Sequence, residues 1–119
     1  MPAVVLVAVA GVAGVLARYG ITKATMGTDA LIWSTATINI VGSFLLGLFV
    51  AGGWFSRDYR EAVGVGFLGG FTTFSTFSVQ IVTETDGGRP GTAAVYLLVS
   101  VVGGVVAATG GYVLGRAIT

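Results

Sequence analysis

The placing of the charged residues leaves this chain few ways to fold. Eleven positions carry a charge, and four stretches between them carry none: residues 1–17, 30–56, 62–83 and 90–115, together 92 of the 119 residues. A bilayer-spanning helix needs about 20 apolar residues. Each stretch is long enough to cross, the first with help from Arg18 and Tyr19, whose side chains extend the span by snorkelling. The expected fold is an all-α membrane protein: one four-helix transmembrane unit over residues 1–119. Its helices are expected at about 3–20, 31–54, 62–83 and 91–115. Only 9% of the residues are charged and 55% are hydrophobic, whereas a soluble domain carries about a quarter charged residues. No Lys or Arg precedes the first apolar run, so it reads as a span and not as a signal peptide.

Missing residue types narrow the function. The chain has no histidine and no cysteine, which removes structural zinc, iron–sulfur clusters, disulfides and Ser-His-Asp triads. The net charge is +1 and the basic residues are scattered, so no patch for nucleic acid exists. No Asp, Glu or Lys falls within an expected span, whereas proton-coupled carriers use a titratable group inside the membrane. That disfavours a small proton-coupled exporter, which would need an embedded carboxylate. Ser75 and Ser78 have no His or Lys to activate them, so no enzyme is expected. A passive pathway and a non-conducting subunit of a heterodimer remain.

Orientation is set by counting Lys and Arg. With four spans, Arg57, Arg60 and Arg116 share one side, and Arg18, Lys23 and Arg89 share the other. Three against three gives no strong bias. Two copies in opposite orientations then form an antiparallel dimer, unless something outside this count fixes the topology. No repeat relates the halves of the chain, so any two-fold symmetry has to come from a second copy.

Individual helices add detail. Trp33 and Trp54 lie 21 residues apart, about 31 Å along a helix, which matches the hydrocarbon thickness between two interfacial tryptophans. Asn39 then sits about 9 Å below one interface. It reads either as an interhelical hydrogen-bonding residue or as a pathway donor. The third stretch holds Gly66-Phe67-Leu68-Gly69-Gly70-Phe71-Thr72-Thr73-Phe74-Ser75-Thr76-Phe77-Ser78 at mid-span. Glycines and hydroxyls weaken a helix there, and irregular backbone survives at membrane depth only inside protein or beside a wet cavity. A break is expected between Gly69 and Thr73, with carbonyls able to hold a cation and amides able to hold an anion. Phe71, Phe74 and Phe77 recur every third residue, roughly on one face. Their electropositive ring edges can face an anion, or they simply pack. The fourth helix starts at Pro90 and carries two stripes: Gly103, Ala107, Gly111 and Gly115 for packing, and Tyr96, Ser100, Gly104 and Ala108, the polar end of which can line a path.

Residues 69–78, Gly-Gly-Phe-Thr-Thr-Phe-Ser-Thr-Phe-Ser, resemble the signature of the Fluc (CrcB) fluoride channel family. The likeness extends over the whole chain, including Arg18 at the end of the first helix and Asn39 followed by Gly42. It implies an antiparallel, dual-topology homodimer in the inner membrane of a prokaryote. Such a dimer exports cytoplasmic fluoride passively and protects against its toxicity. The resemblance also implies site roles. Phe74 and Phe77 correspond to an aromatic box, Asn39 to a pore donor and Thr76 to a pore-lining hydroxyl. Tyr96 and Ser100 correspond to a polar track, and Arg18 to a vestibule arginine. The backbone carbonyls of Gly69 and Thr72 correspond to the holders of a structural sodium ion shared by both subunits. The chain departs from the family pattern at Gly104, where the track often has a hydroxyl, and at Gln80, where some members have an acid.

Overall fold

In a computed structural model, which describes residues 2–119, four helices among the described residues are long and apolar enough to cross a membrane. We label them α1 (Ala3–Thr25), α2 (Ala30–Ala51), α3 and α4 for the two halves of the third span, and α5 (Pro90–Ala117). The third span covers Arg57–Asp86. Its first half, α3, runs over residues 57–71: an α-helical start at Arg57–Glu61, π-helical turns over Ala62–Leu68 and a last turn at Gly69–Phe71. The second half, α4, is Phe74–Asp86. Pro90 occupies the first turn of α5, where its missing N–H costs nothing. Gly27 and Gly88, in the loops before α2 and α5, have φ of 78° and 84°. A side chain is strained in that left-handed region.

Between α3 and α4 the backbone is extended. Thr72 has φ −91° and ψ 160°, and Thr73 has φ −151° and ψ 123°. The interruption lies at the middle of the span, at the C-terminal end of the expected interval. The threonines break the helix while Gly69 and Gly70 stay helical. Gly70 serves packing instead: a Cβ there would come within 2.7 Å of the Gly11 carbonyl oxygen.

Close backbone approach organises the four helices into two pairs, α1 with α3 and α2 with α5. A side chain at Gly14 would overlap the Phe67 carbonyl, and one at Gly111 would overlap the Phe44 carbonyl. Gly115 faces the Leu48 carbonyl and Gly103 faces Ile40, so this stripe of α5 is a packing face, as its four-residue spacing suggested. A buried cluster of Ile32, Ala36, Phe77 and Tyr96, with Ile81 packed on it, ties α4 to both helices of the second pair. Near the ends of that pair, the Arg89 guanidinium bridges two loops. It holds both carboxylate oxygens of Glu84 at 2.8 and 2.9 Å and Asp29 at 3.2 Å. Hydrogen bonding to Glu84, then to Asp29, raises the Arg89 pKa above its ordinary value. The ion pairs put the first and third loops on one side, as four crossings require.

Three expectations need correction. First, α1 continues through Thr25 and not to about residue 20, so Arg18 and Lys23 lie within a helix. Second, α2 stops at Ala51, before residue 54. Extended backbone at Gly52 turns the chain, and the Trp54 ring folds back over Gly52. Trp33 and Trp54 therefore do not measure one straight helix. Third, the break separates Phe71 from Phe74 and Phe77. Phe71 stacks on Phe67 instead, with centroids 5.8 Å apart.

Replacing Gly111 with Ala should lower the unfolding midpoint in detergent, with a loss of about 1–3 kcal/mol from overpacking. Gly110→Ala, which meets nothing within 4 Å, should not lower the midpoint, since alanine suits a helix interior better than glycine.

Candidate functional site

The site begins with an accounting problem. A helix interrupted at mid-span leaves carbonyls at the end of α3 and amides at the start of α4 without partners. In lipid each unsatisfied group costs several kcal/mol or so. Two side chains from neighbouring helices and one from the break itself meet part of this demand. Asn39 of α2 donates from Nδ2 to the Thr73 carbonyl at 2.9 Å and accepts the Thr73 N–H on Oδ1 at 2.8 Å. The amide thus pairs with a peptide unit as a neighbouring strand would. Thr73 in turn caps α4, its hydroxyl accepting the Thr76 N–H at 3.2 Å. Arg18 of α1 donates from Nε to the Gly70 carbonyl at 3.1 Å. Gly42 makes room beside Asn39, because a Cβ there would overlap the Thr72 methyl in its present position.

The interruption frees four carbonyls of their helical donors, Gly69 to Thr72, of which Arg18 bonds that of Gly70. In a continuous helix Gly69 would receive the Thr73 N–H, which goes to Asn39. Thr72 would receive the Thr76 N–H, which goes to the Thr73 hydroxyl. Both residues line an open-sided cavity of about 430 Å³ between α2, the break and α5.

The same cavity gathers Asn39, Phe74, Phe77 and Ser100. Phe77 is buried, whereas Phe74 is 78% exposed at the cavity margin. Their rings lie 6.0 Å apart and inclined by 54°. Tyr96 stands behind Phe77, edge to face at 5.1 Å. It does not line the cavity, because its fully buried hydroxyl donates to Gln80 Oε1 at 2.7 Å. Trp33 packs edge-on against the other side of Tyr96 at 6.0 Å. Ser100 is buried and its hydroxyl has no protein partner, which is costly unless something in the cavity bonds it. Gly104 continues the cavity wall below it, leaving space up to the Ser43 hydroxyl.

Of the residues proposed from sequence, Asn39, Phe74, Phe77, Ser100, Gly69 and Thr72 converge on this cavity. Tyr96 supports it from behind, and half-buried Thr76 and Arg18 lie outside it. Arg18 touches the break from the far side, through Gly70. The sequence pointed neither to Thr73 as a cap, nor to Ser43 as a cavity residue, nor to the bond between Gln80 and Tyr96. The hydroxyl three residues before Thr76 was a visible capping signal. The other two depend on contacts between helices. No cluster of acidic, histidine or cysteine side chains that could hold a metal occurs among the described residues.

Helices, break and cavity together define a small multi-pass membrane protein built around an interrupted span, with neutral donors and phenyl edges gathered beside it. Residues 5–112 match the family described as CrcB-like protein, Camphor Resistance (CrcB), and the chain belongs to that family. It is similar to the fluoride-specific ion channel FluC of Thermus thermophilus, at 40% identity over 95% of this chain and 94% of that one. It is also similar to FluC of Novosphingobium aromaticivorans, at 41% identity over 88% and 89% of the two chains. FluC of Agrobacterium fabrum is 39% identical over 95% of both.

Asn39→Leu keeps the size of the side chain and removes both bonds to Thr73. Hydrogen exchange at residues 72–77 should then accelerate about tenfold or more, the effect of losing buried hydrogen bonds, while α5 exchanges as before. Unchanged protection at the break would show that Asn39 does not hold it.

Proposed function

We propose that the chain forms a passive, fluoride-selective channel that lets fluoride leave the cytoplasm across the inner membrane of a bacterium. The observation that carries this reading is the cavity at the break. It brings an amide, an unpartnered buried hydroxyl and two phenyl rings together beside an interrupted helix in a member of this family. Relatives named as fluoride-specific channels support it over nearly the full chain length. The work is transport and not catalysis. Electropositive ring edges of Phe74 and Phe77 and the Ser100 hydroxyl replace part of the ion's hydration shell. Being neutral, they bind weakly enough for the ion to leave. Asn39 acts there through Thr73, setting where α4 and its phenylalanines begin.

A second, inverted copy completes the unit in this reading. The cavity is open on one side, Phe74 is exposed at that opening, and the Lys and Arg are evenly divided. Gly69 and Thr72 together offer two carbonyls freed of helical donors, a fit for a hard cation that takes oxygen ligands. Two copies would offer four, enough to hold a structural sodium ion at their contact. When bound, the ion supplies positive charge that links the two breaks.

Liposomes containing only this protein should release fluoride, read with an electrode, far faster than empty vesicles, and should retain chloride. Phe77→Ile should slow release at least tenfold without dispersing the dimer. Chloride leaving as readily as fluoride would overturn the reading. The chain has no cysteine, so a single cysteine at Thr28 reports topology. An impermeant maleimide should label about half the molecules in sealed cells if both orientations insert equally. Labelling of all or none would exclude dual topology.

A further inference from the structure

Arg18 is the residue whose structural position differs most from its expected use. It does not close α1 at the interface. The helix runs on through Thr25, about 10 Å further by helical rise. A guanidinium inside a span is costly unless it is bonded within the protein. Its bond goes to the carbonyl of Gly70, 52 residues away and in the last turn of α3. That carbonyl would take the Phe74 N–H in a continuous helix, and it belongs to the end of α3 where the helix dipole is negative. The contact is enforced by packing. Gly70 is pressed against Gly11 and Val15 of α1, one turn before Arg18. The side chain does not line the cavity, so any influence it has there passes through the Gly70 peptide.

We infer that Arg18 is a positioning residue. It caps the carbonyl end of α3 and thereby holds the break, with the adjacent Gly69 carbonyl, in place from the α1 side, while Asn39 holds it from the α2 side. A vestibule arginine drawing anions from water would act by long-range charge. A positioning arginine acts by a short, partly buried bond. The two differ in salt dependence, since exposed charges are screened within about 10 Å at 0.1 M salt and buried contacts much less. The flux part of the test rests on the fluoride-channel reading; the exchange part does not.

The experiment compares wild type with Arg18→Met, Arg18→Gln and Arg18→Lys in liposomes. Fluoride efflux is measured from about 20 mM to about 500 mM added impermeant salt, a range over which screening increases severalfold. Hydrogen exchange at residues 68–76 is measured alongside. Arg18→Met should slow efflux at least tenfold, by the same factor at both salt levels, and should speed exchange at the break while sparing α5. Arg18→Gln, which keeps a donor and loses the charge, should recover most of the flux and protection. A defect that disappears at high salt overturns the proposal in favour of anion steering. So does a Gln variant as poor as Met beside a Lys variant like wild type, or a Gln variant that fails to assemble. Wild-type exchange in Arg18→Met also overturns it. A wild type that conducts no fluoride refutes the channel reading, and exchange then decides the role of Arg18 alone.

Discussion

Extended backbone in the middle of a bilayer is stable only if protein replaces the water that would otherwise bond it. Here that condition falls on the peptide unit of Thr73, and Asn39 meets it at both its N–H and its carbonyl. The rest of the site follows from this pairing. Because the Thr73 amide is taken, the Gly69 carbonyl has no helical donor. Because Thr73 is extended, its hydroxyl is free to cap α4. Because α4 starts at Phe74, the two phenylalanines at its head are aimed at the cavity and Phe71 is not.

Small residues make this pairing reachable. The Asn39 side chain is short, and it meets the break because Gly42 lets Thr72 approach α2. On the opposite flank, Gly11, Gly14 and Gly70 bring α1 and α3 close enough for Arg18 to bond Gly70. In lipid, close packing of this kind replaces the hydrophobic drive that holds soluble helices together. The glycines therefore act on the site through helix separation, and their part in the chemistry is indirect.

The cavity contains no charged side chain. A full charge would hold a small ion firmly, and conduction requires that the ion also leave. The hydroxyl and the ring edges offer partial charges, and Asn39 fixes their arrangement through Thr73. Tyr96 and Gln80 keep that arrangement rigid from behind: their hydrogen bond is buried, and the ring of Tyr96 braces Phe77.

Much of this is legible in the order of residues. Four uncharged stretches of spanning length permit little besides four membrane helices, because the bilayer penalises any other use of them. The run of glycines and hydroxyls from Gly69 to Thr73 marks where the break falls, and within it the threonines, whose side chains offer the backbone other bonds, interrupt the helix while the glycines stay helical. Local chemistry of this sort is written along the chain. Contacts between distant segments are not. Spacing alone could not decide whether the Asn39 amide meets the Thr73 peptide, whether Arg18 reaches the Gly70 carbonyl, or whether Tyr96 lines the cavity or stands behind Phe77. Nor could it show that α2 ends before Trp54. Each outcome depends on how closely two helices approach and at what register. That is settled by many small packing interactions acting together, and only the tertiary structure records their result.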